Sequence, residues 1–518
     1  MVFAGLIERL DKRERLRFIL TRSLWSAADR RFRLIAVIAV FAVAFAMSFM
    51  LNIGKLPHWE FAGDSSSYIK YDYSDPWASA RSPGTPFYFD LVADRDTIVS
   101  ELRAYDELPT PQNATPVLDK ELRKINLANI VILSLGVALL TIALCCYLSA
   151  AFAVIAAFAA AHGTGLSYFV ASILSEPPVI FITLAFGACL LIYIKTRCFS
   201  LLPIISALAV AGFLVRPAGI FLIAVASLLI AFDLWKKRSL LKSTILAICL
   251  IVGAAAFPIQ LYMTTGIVTL GQLNMTKLMF ALFLAEPSDI DRMPTSEMKA
   301  DLTRFFELKP SAINAMNGST NKYANSPLAP QAFREDWNGW ENLPLVPRYI
   351  YSVNQFGWAV FQNTIYADRF KTRSPQETYR YYQGIADAIL SAHQFELAQL
   401  RAANFLSGFS AYGYIGFGAS PINTIARRLH LPAILIYPAI FALILIALWR
   451  GARVFALPIT ALVGTHLLAI AALSIGHCVM TRYSVVSEWM ITLAVMLSFA
   501  SLIQAYYSYF ARRNNARN

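Results

Sequence analysis

The sequence predicts an all-α integral membrane protein with about ten transmembrane helices and two large non-cytoplasmic segments. Three observations carry this. Of the 518 residues, 57% are hydrophobic and only 15% charged, against about 25% charged in an ordinary soluble domain. The missing charge is concentrated in long stretches that hold none, and a backbone in lipid must bond its own amides, as a helix does. When those stretches are threaded alternately, positive charge recurs on one side only.

The chain opens on a basic segment, with nine Lys/Arg in residues 1–33. Phe3, Leu6, Ile7 and Leu10 share a helical face beside Arg9, Lys12 and Arg13. That pattern suits an amphipathic helix on the cytoplasmic leaflet, or equally a solvated basic tail. The run Leu34–Leu51 reads as an uncleaved anchor. Ala44-Phe45-Ala46 looks like a cleavage site, but the run continues past it, and 33 residues are long for a charged leader.

Further runs at 127–148, 150–163, 178–194, 201–215, 218–234, 244–263, 432–449, 454–473 and 485–507 complete ten spans. The first two of these are almost contiguous, which implies a tight hairpin or a broken helix. With the N-terminus inside, inner loops carry Lys195 and Arg197, then Lys236, Lys237 and Arg238, then Arg450 and Arg453. The tail carries Arg512 and Arg513, while 52–125 has twelve Asp/Glu against eight Lys/Arg. Every inner flank is basic except the turn near residue 149.

The chain is therefore divided into a cytoplasmic basic N-terminus (1–33), a transmembrane module (34–263), a non-cytoplasmic segment (264–430) and C-terminal helices with a basic tail (431–518). The module's outer loop is 52–125. Within 264–430 a helical pattern covers 376–402, and 275–285 and 404–419 are apolar or aromatic enough to lie in the interface or re-enter. The net charge of +13 serves orientation, since nucleic-acid binding would need a groove-sized basic element. Most of the six cysteines sit in or beside apolar runs and none falls in 52–125 or 264–430. Those segments are expected to hold no internal disulfide, and no zinc-type spacing appears.

Chemistry-bearing residues gather at the outer ends of the spans. Trp59-Glu60-Phe61-Ala62-Gly63-Asp64-Ser65-Ser66-Ser67-Tyr68 follows the first span closely, so Asp64 is held near the bilayer surface, where a lipid-linked phosphate would sit. Arg81-Ser82-Pro83-Gly84-Thr85-Pro86 places a cation beside a stiff turn. Ser175-Glu176-Pro177 opens the fourth span, Arg216-Pro217-Ala218-Gly219 joins the fifth to the sixth, and Thr481-Arg482-Tyr483 precedes the last. Glu488 lies inside that last span, where a carboxylate costs about 2.5–3.5 kcal/mol on insertion scales and calls for a cavity or a cation. Cations at the ends of spans also snorkel to headgroups without further role. His162, His466 and His477 read as satisfied helix residues, with no second ligand at metal spacing.

In order and sidedness these segments resemble the membrane GT-C glycosyltransferases, which include relatives of protein O-mannosyltransferase and lipid A aminoarabinose transferase. The resemblance implies an inverting transfer of a sugar from a polyprenyl-phosphate donor to a lipid, glycan or protein acceptor. It implies catalytic Asp64 and Glu176, with Arg81, Tyr68, Arg216, Arg482, Tyr483 and Glu488 binding substrate. Many members carry two adjacent acids where this chain has Asp64-Ser65, so a divalent cation is left open.

Physical chemistry points the same way. The acceptor hydroxyl needs a base, the departing phosphate needs cations, and an oxocarbenium-like state is stabilised by a carboxylate. Guanidinium meets phosphate with two donors at once. Two other readings stand beside this one. A lipid-linked-sugar transporter would show related halves, which the sequence lacks. An O-antigen polymerase or ligase would place its Arg and His in the long outer segment, where Arg348 and His393 are available. The Ala-rich spans fit a bacterial inner membrane, with both termini cytoplasmic and the active site periplasmic; an endoplasmic-reticulum protein with a lumenal site has the same geometry.

Overall fold

In the computed structural model the ten apolar runs coincide with helices over all or most of their length. The residues described are 30–61, 63–74, 81–163, 166–236, 240–269, 273–324, 374–407, 433–476 and 481–515; the proposed amphipathic segment at the N-terminus, Arg348, His477 and 408–419 lie outside them. The helices are α1 (Arg30–Ile53), α2 (Gly63–Ile69), α3 (Gly84–Val92), α4 (Arg95–Glu101), α5 (Pro116–Leu144), α6 (Ala150–Gly163), α7 (Glu176–Thr196), α8 (Leu201–Val215) and α9 (Ile220–Trp235). They continue as α10 (Leu240–Thr265), α11 (Leu273–Leu284), α12 (Ser296–Ala324), α13 (Pro375–Ala392), α14 (Gln394–Ser407), α15 (Ala433–Arg450), α16 (Ala456–Gly476) and α17 (Thr481–Asn515). The described residues form no strand, only a parallel bridge between Glu60 and Ser172.

Seven helices among the described residues are long and apolar enough to cross a membrane, in α1, α5, α7, α9, α10, α16 and α17. The runs in α6, α8 and the Pro438–Arg450 part of α15 are shorter. Fourteen residues, the length of α6, span about 21 Å, less than the roughly 30 Å hydrocarbon core. The molecule is a multi-pass membrane protein. Its main core is built from α5 to α9 with α15 to α17, around Leu140, Phe186, Leu191, Trp489 and Leu493. By contrast α1 and α10 leave Leu34, Ile38, Met50, Leu241, Ile248 and Ile251 exposed, as lipid-facing helices do.

Several boundaries differ from expectation. The span expected at 127–148 is a helix that starts at Pro116, with Thr115 as its N-cap accepting from the Leu118 amide, and that ends at Leu144. The cause is local: a capping Thr followed by Pro at the first helical position nucleates the helix inside the loop. Its extra turns are covered by a small second core, in which Trp59, Phe61, Phe89 and Ile98 pack on Leu118, Leu122 and Ile125. The almost contiguous runs do form a hairpin, turning over Cys145–Ser149. Pro83 and Gly84 do not simply turn; they start α3.

The pattern over 376–402 is two helices, broken at His393, whose backbone is non-helical (φ −114°, ψ 37°). The Ser374–Glu377 capping box starts the first of them. The apolar stretch 275–285, expected to lie in the interface or re-enter, is largely buried within protein. Leu278, Phe280 and Leu282 of α11 pack on Leu302 and Phe305 of α12 and on Tyr381, Ile385 and Ile389 of α13. Polar ties between Lys277 and Asp387 and between Tyr381 and Asp301 close this unit. It meets the bundle where Phe405 of α14 packs with Ala218 against Ile470 and Leu473 of α16.

Candidate functional site

At one end of the bundle four separate stretches of chain meet. The end of α1 is tied to α5 by Asn126, whose Nδ2 donates to the carbonyls of Lys55 and Leu56 at 2.9 and 3.0 Å. Lys55 donates to the Ser167 carbonyl at 2.6 Å, and burial lowers its pKa. Residues 60 and 171–173 exchange backbone bonds of 2.7 and 3.0 Å. Asn129 donates to the carbonyls of Val170 and Ser172, both at 3.1 Å, and accepts from the Tyr88 hydroxyl at 2.8 Å. Burial pushes the Tyr88 phenol well up, so it stays a donor.

The loop carrying Arg81 is fastened to the end of α8. Ser82 Oγ and Thr85 Oγ1 both donate to the Val215 carbonyl, at 2.9 and 3.2 Å. Gly84 permits this approach, because a Cβ there would fall 2.6 Å from the Val215 nitrogen and 2.7 Å from Leu214 backbone atoms. Backbone cannot yield as a side-chain tip can, so Gly84→Ala is expected to cost about 1–3 kcal/mol by overpacking and to loosen the loop. Limited proteolysis between residues 81 and 92 reads this out; a cleavage rate equal to wild type contradicts it.

The functional side chains then form one continuous run. Arg81 Nη2 meets Asp64 Oδ1 at 2.6 Å, and both side chains are about a third exposed. Arg81 Nε donates to Ser67 Oγ at 2.8 Å, and Ser67 Oγ donates to the Asp64 carbonyl at 2.7 Å. The Arg81 guanidinium also stands 4.8 Å from the centre of the Tyr68 ring. The Tyr68 hydroxyl donates to Ser175 Oγ at 3.0 Å, which reaches Glu176 Oε2 at 3.5 Å. Glu176 Oε1 in turn pairs with Arg216 Nη1 at 3.2 Å. Glu176 is fully buried, and Arg216 retains 15% side-chain exposure.

Of the sequence-predicted residues, the structure thus joins Asp64, Arg81, Tyr68, Glu176 and Arg216. Glu488 lies within the candidate span of α17 and is buried. Its neighbour Trp489 packs on Gly187 of α7, about 16 Å along the helix from Glu176. The side chains of Arg482 and Tyr483 lie outside the described residues. His393 is engaged elsewhere, with Asp289 Oδ2 at 2.9 Å in the α11–α14 unit. His162 and His466 are helix residues bonded to Ser48 and Ser487, each at 3.1 Å.

Sequence reasoning missed Ser67 and Ser175, which link the charged groups, and Asn126 and Asn129, which hold the framework. The asparagines leave a legible signal: two amides three residues apart share one face at the start of the apolar part of their helix. Among the described residues no group of three or more His, Cys, Asp or Glu is placed to hold a metal ion. Together the end of the bundle offers a partly exposed carboxylate, two guanidinium groups and a buried carboxylate. That is a set able to accept a proton and to hold a phosphate. No protein-family model, curated protein or solved structure matches the chain.

Proposed function

We propose that the chain is a membrane glycosyltransferase that moves a sugar from a polyprenyl-phosphate donor to an acceptor hydroxyl on the non-cytoplasmic face of the membrane, a bacterial periplasm being the setting that fits its spans. The observation that supports this is the unbroken run Asp64–Arg81–Tyr68–Ser175–Glu176–Arg216 at one end of a bundle of membrane-crossing helices. A lipid-linked phosphate lies at that depth, with its carrier among the helices.

The donor phosphate competes with Asp64 for Arg81, since guanidinium binds either anion with charge-assisted bonds. Arg81 then turns to the phosphate and releases the carboxylate to the acceptor hydroxyl. The acceptor oxygen bonds to the anomeric carbon as the bond from that carbon to the phosphate oxygen breaks. The hydroxyl proton passes to Asp64, and the electron pair leaves with the phosphate, stabilised by Arg81 and Arg216. A single displacement of this kind inverts the anomeric centre. Glu176 holds Arg216 in place, and Tyr68 backs Arg81.

The test is transfer by purified protein in nanodiscs, supplied with a panel of labelled polyprenyl-phosphate sugars and an extract of envelope acceptors. The expected result is label released from the carrier and bound to acceptor, with the anomeric configuration inverted. Label that crosses a proteoliposome membrane still joined to its carrier, with no transfer, would establish a transporter instead.

A further inference from the structure

Beyond α2 the chain turns outward and forms one wall of an open cleft of about 690 Å³, within the range of small-molecule sites. Residues 69–74 make that wall, and Arg95, Asp96 and Arg103 make the other. The two walls are pinned together by Arg95. Its Nε pairs with Asp90 at 2.6 Å, its Nη1 donates to the Tyr71 carbonyl at 2.6 Å, and its guanidinium lies 5.2 Å from the Tyr73 ring centre.

We infer that this cleft binds a carbohydrate chain and, on the reading of the protein as a glycosyltransferase, that it seats the acceptor. Three features select carbohydrate. First, the lining mixes Lys70, Arg95 and Arg103 with Asp72 and Asp96, so donors and acceptors of hydrogen bonds nearly balance. Such a surface suits many hydroxyl groups rather than one fixed charge. Second, Tyr71 and Tyr73 stand edge to face, with ring centres 5.1 Å apart, and Tyr73 is 38% exposed. An aromatic ring beside polar groups matches a sugar, which has an apolar face and a polar rim.

Third, the Tyr71 hydroxyl is buried without a hydrogen-bond partner among the described residues, in a wall residue only 3% exposed. A buried hydroxyl left unpaired is a standing cost, which a ligand hydroxyl relieves once the ring turns toward the cleft that Tyr71 lines. Burial pushes its pKa up to about 12, which keeps the proton available to donate. Position supports the assignment to the acceptor. Asp64 and Tyr71 belong to one short stretch, with Cα atoms at most roughly 15 Å apart by helical rise and extended reach. An oligosaccharide lying in the cleft is long enough to cover that distance to Asp64.

The experiment is binding of fluorescently labelled protein, in phosphatidylcholine nanodiscs, to an array of immobilised oligosaccharides. Alkyl-maltoside detergents are avoided because they present sugars of their own. Saturable binding to a subset of the glycans, competed by the same glycan free in solution, is expected. Tyr71→Phe and Arg103→Ala are each expected to weaken it about tenfold, the loss that about 1.4 kcal/mol of binding represents. Tyr71→Phe keeps the ring and its packing, so an unchanged melting temperature separates lost binding from lost folding. No glycan bound above empty nanodiscs, or equal affinity in both variants, overturns the inference. Asp64→Asn separates the two readings, since Asp64 does not line the cleft. If that variant binds glycan and still transfers sugar, the catalytic reading fails while the cleft stands. If wild type transfers sugar but binds no glycan, the cleft fails alone.

Discussion

The Asp64→Asn protein is expected to insert and fold normally and to transfer sugar about 10²–10⁴-fold more slowly than wild type, the span that general-base catalysis supplies. The two sides of this expectation have separate causes. Asparagine keeps the size and planarity of the side chain but accepts no proton at neutral pH, so the acceptor hydroxyl must leave its proton elsewhere. The structural cost is small because the Asp64–Arg81 pair is about a third exposed on both sides, and pairs of that kind contribute about 0–1 kcal/mol. Single-turnover transfer with purified protein measures the rate, and the melting temperature measures the fold. Full transfer by Asp64→Asn, at normal stability, removes the carboxylate from the mechanism.

Glu176→Ala is expected to act in the opposite manner, through stability first. Glu176 is fully buried and faces Arg216, which is largely buried as well. Deleting one member of a buried pair strands the other charge and costs about 3–5 kcal/mol, an effect large enough to lower the yield of folded protein. The cause can be told from simple loss of volume by a second variant. Replacing both partners, as Glu176→Leu with Arg216→Met, removes the stranded charge and is expected to recover much of the stability. Activity does not return, because Arg216 is no longer there to meet the phosphate. Equal melting temperatures for wild type and Glu176→Ala contradict the buried pair, and no recovery in the double variant contradicts its electrostatic origin.

Helices were legible from composition and pattern alone. A run such as 178–194 carries no charge, and the bilayer admits only a backbone that bonds itself, so helix is its one solution. The candidate site was partly legible for a related reason. Glu176 and Arg216 are charges at the ends of apolar runs, where desolvation makes a charge conspicuous, while Asp64 and Arg81 stand in short motifs of the loop between the first two runs. Their meeting was not legible. Glu176 and Arg216 lie 40 residues apart, and Tyr68 and Ser175 lie 107 apart. Nothing local to either partner names the other.

What the amino-acid sequence determined by itself is therefore the membrane class, the approximate spans and the residues with unusual solvation, because each depends on how a short segment meets lipid or water. The tertiary structure alone decided that Trp59 and Phe89 cover the first turns of α5, that 275–285 is buried by α13, and that His393 pairs with Asp289 away from the site. It also decided that Gly84 lies against Val215, which brings Arg81 to the end of the helix bundle. Those outcomes depend on which helix ends are packed together, and packing is a property of surfaces made by residues far apart in the chain.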